Sequence, residues 1–153
     1  MARISKIYRI LISGLLALLG FSAGSCFLHA PEYGVPTATY KAKGVVVSEV
    51  GNTPIQGILA VLKYDRDNEY VMDTTFTNSN GSFSLESYAF PRQNQKLYVV
   101  LTDVDGEDNG GSFAMKVVEA DFTNVTLTGG DGHWYAGEAE IDLGTITMTL
   151  ASE

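Results

Sequence analysis

Between Tyr40 and the C-terminus, short β-branched and aromatic runs are broken about every ten residues by Gly, Asn, Asp or Pro, and no window repeats its apolar residues at a helical period. A chain of this kind buries its apolar side chains by stacking one sheet on another. Strands are predicted over residues 41–50, 56–64, 70–77, 82–88, 97–102, 113–122 and 124–127, with one or two more over 138–150. Within 82–88, Phe83 and Leu85 point one way and Ser82, Ser84 and Glu86 the other, the alternation of a half-buried sheet. Gly51-Asn52-Thr53-Pro54 turns the first strand towards the second. Asn78-Ser79-Asn80-Gly81 reads as a hairpin turn, because Asn-Gly tolerates the positive φ angles of tight turns. Seven or eight such strands in about 110 residues predict an all-β, antiparallel β-sandwich over residues 40–153.

The first nine residues carry Arg3, Lys6 and Arg9 and no acid, and residues 10–21 form an almost unbroken apolar run. This is the layout of a secretory signal peptide, and its run falls short of the roughly 20 apolar residues that span a bilayer. The run leads into Ala23-Gly24-Ser25-Cys26. That ending resembles the lipobox of bacterial lipoproteins, with Ala23 where the usual box has Leu. The resemblance implies a leader over residues 1–25 and a lipid on Cys26. Residues 26–39, with Pro31, Gly34 and Pro36, read as an extended tether. No acidic run follows Cys26. Such a run resembles the surface-export signal of some Bacteroidetes lipoproteins, so the expectation is a periplasm-facing protein on the inner or outer membrane of a Gram-negative cell.

Charge narrows the partners. The leader holds three of the ten basic residues, leaving seven against eighteen acids, a net charge of −11 from Cys26 onward compared with −8 for the whole chain. Such a surface repels phosphate backbones, which argues against nucleic acid. It also disfavours adsorption on anionic membranes, leaving the lipid on Cys26 as the membrane attachment. Cys26 is the only cysteine, so the folded domain has no internal disulfide, no Cys-based metal cluster and no Cys nucleophile. His133 is the only histidine outside the tether, and no nucleophile-elbow motif accompanies it. The chain is therefore not expected to be an enzyme.

Two family resemblances follow from particular residues. Lys43-Gly44-Val45-Val46-Val47 with Thr53-Pro54-Ile55-Gln56-Gly57-Ile58, then Thr75-Phe76-Thr77-Asn78-Ser79-Asn80-Gly81-Ser82-Phe83, resembles the prealbumin-like sandwich of carboxypeptidase regulatory domains. That likeness implies a fold with almost no functional content. Cys26 with Glu32-Tyr33-Gly34-Val35-Pro36, Asp103-Val104-Asp105-Gly106, Asn109-Gly110-Gly111-Ser112-Phe113 and Gly132-His133-Trp134-Tyr135-Ala136-Gly137 resembles the radical SAM-associated lipoproteins of Bacteroidetes. It implies an envelope address and a radical SAM enzyme as partner or modifying enzyme.

Two constellations outside the leader are candidate sites. In residues 103–111, Asp103, Asp105, Asp108 and Asn109 place oxygens on a glycine-rich loop, and hard cations such as calcium take six to eight oxygens. The spacing departs from an EF-hand, and a solvated β-turn is the competing reading. His133, Trp134 and Tyr135, flanked by glycines, form a candidate contact for a glycan or protein, while Trp134 could equally plug one end of the sandwich. The leading functional expectation is a non-catalytic, lipid-anchored interaction module for an envelope protein, a glycan or a radical SAM enzyme. The alternatives are a calcium-stabilised module and a client of a radical SAM enzyme.

Overall fold

In the computed structural model the described residues are 34–67, 69–92 and 94–151, with Tyr8, Ile12 and Gly14 ahead of them. The chain divides into Met1–Gly34 and Val35–Glu153. In the first unit Tyr8, Ile12 and Gly14 are helical, and Cys26 lies outside the described residues. Among the described residues no helix is long and apolar enough to cross a membrane.

The second unit is an all-β sandwich. Its strands are β1 (Thr37–Ser48), β2 (Leu59–Lys63), β3 (Val71–Phe76), β4 (Ser82–Ala89), β5 (Lys96–Thr102), β6 (Lys116–Asp121) and β7 (Tyr135–Met148). One sheet has the order β4-β1-β7 and the other β3-β2-β5-β6. Strand β1 begins at Thr37, ahead of Tyr40, and residues 138–150 belong to one long strand that starts at Tyr135. Residues 124–127 are not a strand, and in residues 113–122 only Lys116–Asp121 is one, with Phe113 forming an isolated bridge to Leu150. Bulky apolar character alone does not make a ladder where no partner edge is aligned.

Two corrections concern pairing. The sheets are mostly antiparallel, but β1 and β7 run parallel, from Thr37↔Tyr135 to Ser48↔Met148 with two register shifts. A parallel pair needs a long crossover, and here the rest of the domain supplies it. The turn at Asn78–Gly81 also does not join a hairpin: β3 lies in one sheet and β4 in the other. The local chemistry is that of a tight turn, since Asn78 Oδ1 accepts from the amides of Asn80 at 2.9 Å and Ser82 at 3.0 Å. What separates the strands is the anchoring on either side. Gly81 O accepts from Val46 N at 2.8 Å, drawing β4 towards β1, while Thr77 N donates to Ile58 O at 3.0 Å, holding β3 on the β2 side.

Residues 51–57 make the same crossing from β1 to β2. Pro54 bridges Val47, Ile55 N donates to Val46 O, and the chain then changes layer at Gly57, where φ is +85°. The buried Thr77 hydroxyl ties both crossings together, accepting from Ile58 N at 3.0 Å and donating to Ile55 O at 2.7 Å. Between the layers lie Val46, Leu62, Leu85, Leu97, Val99 and Leu101, with Tyr40 and Phe122 at one end, their rings edge to face at 5.1 Å. On the outer faces, Lys41 pairs with Glu138 at 2.6 Å, Lys43 with Glu140, and Lys96 with Glu119 at 2.6 Å. These bonds raise the three lysine pKa values and, being solvent-exposed, contribute little stability.

Candidate functional site

Asp103 follows β5 and organises the acidic loop from within. Its Oδ1 accepts from the amides of Asp105 at 3.1 Å and Gly106 at 3.2 Å, and its Oδ2 from Phe113 N at 2.8 Å. Asp105 instead accepts from the Asn109 side-chain amide and packs against Gly57, where an added Cβ would meet its Oδ2 at 2.7 Å. Asp108 opens a single 3₁₀ turn, Asp108–Gly110, in which Asn109 has a φ of 55°. The four residues are neighbours, yet their oxygens do not converge: two carboxylates are already engaged by N–H donors. Among the described residues no group of three or more His, Cys, Asp and Glu is gathered for a metal. Melting the protein in calcium and in chelator is expected to give the same midpoint, and a calcium-dependent rise would support the metal reading.

His133, Trp134 and Tyr135 form the entry to β7. Asp131 Oδ1 accepts from His133 N at 2.8 Å and Tyr135 N at 3.0 Å, and these backbone donors lower the Asp131 pKa. Trp134 O accepts from Thr37 N at 2.8 Å, and Tyr135 Oη donates to Thr39 Oγ1 at 3.0 Å. Two of the three residues thus fasten the start of β7 to β1. Trp134 is 36% exposed and lines none of four clefts of about 360 to 620 Å³ found among the described residues.

Three of them lie around Arg92, in the connection from β4 to β5, while the fourth, of about 370 Å³, is lined by Lys43, Phe76 and Phe83 among others. Tyr40, buried in the core, reaches this loop: its hydroxyl accepts from Arg92 N at 3.3 Å. Gln95 O accepts from Phe122 N at 2.9 Å, which draws the 122–127 segment alongside. Between the two segments opens a cleft of about 620 Å³ lined by Tyr40, Arg92, Asn94, Phe122, Val125 and Leu127, among others. A second cleft, of about 360 Å³, is lined by Tyr64, Tyr70, Met72, Tyr88, Ala89, Phe90 and Arg92. A third of the same volume takes in Tyr64, Asp65, Arg92, Gln95 and Tyr98.

Arg92 therefore borders all three. Its guanidinium lies over the Tyr64 ring at 5.2 Å, a cation–π contact, and it joins none of the ion pairs among the described residues. Arg66 sits likewise over Tyr98 at 5.7 Å. Tyr70 and Tyr88 are 67% and 70% exposed and Phe90 is 49% exposed. One buried acceptor lies beside them: Gln95 is 3% exposed, its Nε2 donates to Lys96 O at 3.0 Å, and its Oε1 has no hydrogen-bond partner among the described residues. Sequence reasoning missed this surface, although Tyr88, Phe90 and Arg92 continue the period of two out of β4.

No protein-family model and no curated protein matches this chain. Among solved structures it is similar to a 9R-lipoxygenase from Cyanothece PCC8801, at 21% identity and a TM-score of 0.39, over 71% of this chain and 16% of that one. It is similar to BcpA, the major pilin subunit of Bacillus cereus, at 12% identity and a TM-score of 0.47, over 74% of this chain and 31% of the pilin. It is also similar to the dioxygenase domain of a dioxygenase carbohydrate-binding protein fusion from Streptomyces sp. SirexAA-E, at 17% identity and a TM-score of 0.43, over 81% and 86% of the two chains.

Proposed function

We propose that this protein is a non-catalytic binding module of a Gram-negative cell envelope, held to a membrane by lipid on Cys26, and that it takes its ligand at the Arg92 surface. The observation that carries this reading is that three clefts meet at one residue, Arg92, whose guanidinium stacks on Tyr64 beside exposed aromatic rings. Ligand sites are concave, of a few hundred Å³, largely apolar, and furnished with a few polar groups that orient the ligand. Exposed Tyr and Phe offer large contact areas at low entropic cost.

The non-catalytic part is supported by where the displaced titratable groups lie. Lys41, Lys43, Lys96, Asp121 and Asp131 have shifted pKa values. Of these only Lys96 lines one of the three clefts, the third, and its shift comes first from its hydrogen bond to Glu119, whereas catalytic acids and bases are tuned inside the pocket they serve. The envelope address is supported by the leader-like N-terminus and the lone Cys26. The likeness to radical SAM-associated lipoproteins adds a radical SAM enzyme as a partner class.

A Cys26→Ser chain separates the anchor from the binding surface. It is expected to lose lipid labelling and still co-sediment with isolated envelope fractions, and the further changes Tyr88→Ala and Arg92→Gln are expected to abolish co-sedimentation. Label retained by the Cys26→Ser chain would overturn the anchor. Co-sedimentation unchanged by the cleft substitutions would overturn the binding surface.

A further inference from the structure

We infer that the ligand of the Arg92 surface is an acidic saccharide, a sugar ring carrying a carboxylate; this deepens the binding reading above and rests on it. Charge is the first argument. The chain has eighteen acidic residues and ten basic ones, yet among the described residues Arg92 is the one charged residue lining the cleft of about 620 Å³ and the aromatic cleft, while the third cleft adds Asp65 and Lys96. A cation that joins no ion pair among the described residues, on so acidic a surface, is complementary to an anion. Stacking on Tyr64 steadies the planar guanidinium, and its N–H fork matches a carboxylate in two-point contact.

The second argument is the wall. Tyr64, Tyr70, Tyr88 and Phe90 combine flat apolar rings with, in the three tyrosines, hydroxyl tips. This suits a ligand that is itself two-sided, with C–H groups on its faces and hydroxyls around its rim. Gln95, which lines the adjoining cleft, has a buried Oε1 without a hydrogen-bond partner among the described residues, and such an acceptor wants a donor. A bare carboxylate such as acetate has no hydrogen to give, whereas a sugar acid brings hydroxyl donors together with its charge.

An extended peptide fits less well. Adding a strand here would need a free sheet edge beside the cleft, but Asp73 Oδ2 already accepts from Glu86 N of β4 at 2.7 Å. Strand β3 is also irregular where Met72 interrupts its register with β2. An inward-pointing edge carboxylate and a bulge both deter strand addition.

Titration calorimetry on the purified full chain tests the inference with three probes: tetragalacturonate, its methyl ester, which keeps the sugar and loses the charge, and sodium acetate. Tetragalacturonate is expected to bind, the ester to bind at least about tenfold more weakly, and acetate not to register. Arg92→Gln is expected to bring the acid down to the level of the ester, and Tyr88→Ala or Phe90→Ala to weaken both sugars about tenfold. These residues are exposed, so an unchanged melting temperature confirms that the variants are folded.

Equal affinity for acid and ester would overturn the charge argument. Affinity unaffected by Tyr88→Ala and Phe90→Ala would overturn the stacking argument. No binding of either sugar would overturn the saccharide class. If co-sedimentation with envelope fractions still depended on Arg92 and Tyr88, the binding surface would stand without it.

Discussion

Gly81→Ala is expected to destabilise the domain by about 3 kcal/mol, measured by urea unfolding, the sum of left-handed backbone strain and overpacking. Gly81 has a φ of +71°, and an added Cβ would meet Val46 O at 2.3 Å, with Pro54 Cβ at 3.2 Å and Ile55 N at 3.3 Å. The atom in the way is backbone and already employed, since Val46 O accepts from Ile55 N. Any movement therefore loosens both layer crossings at once. Gly106→Ala is the control: its φ is +73° with nothing within 4 Å of the added Cβ, so strain alone remains, about 1 kcal/mol. Equal losses at the two sites would overturn the account of the crossing.

Leu62→Ala is expected to remove about 3 kcal/mol, through lost transfer energy and the cavity left between the sheets. Leu62 is fully buried in β2, which is flanked by β3 and β5. Its neighbour Val61 is 8% exposed but stands outside the central core cluster, on the outer face of the same strand. Val61→Ala is expected to cost about 1 kcal/mol, because neighbouring side chains rather than a second sheet cover it. Denaturant melts of the two variants check the assignment of faces, and it fails if Val61→Ala is the more damaging.

That pair also marks where the sequence stops being legible. In β4 the alternation of Phe83 and Leu85 with Ser84 and Glu86 is visible at once, and the burial follows it. In Leu59–Lys63 every residue but the last is apolar, so period two leaves no trace, and the inward set is decided by which face meets the opposite sheet. The Asn-Gly turn was likewise readable as a turn and unreadable as a layer crossing, because that choice depends on Val46 and Ile58, which are remote in sequence.

The candidate sites divide the same way. The acidic loop was visible by composition, but Asp103 spends both carboxylate oxygens on backbone amides, an arrangement set by how the loop folds back to Phe113. His133, Trp134 and Tyr135 stood out by rarity, and two of them brace the start of β7. The Arg92 surface draws Tyr64, Tyr70, Tyr88 and Tyr98 from separate segments, and no local pattern unites them. Only the exit of β4 through Tyr88, Phe90 and Arg92 was there to be noticed.

By itself, then, the order of residues determined that this chain makes an all-β sandwich, roughly where its strands and turns fall, and that a lone Cys26 follows an apolar leader-like run. Those properties depend on side-chain period, turn chemistry and charge, which act over a few residues. The tertiary structure alone decided that β1 and β7 run parallel, that two tight turns change layer, and that Arg92 stands among aromatic rings with no ion pair among the described residues. Each of these is a contact between segments far apart along the chain, and it comes into being only when two sheets close on one core.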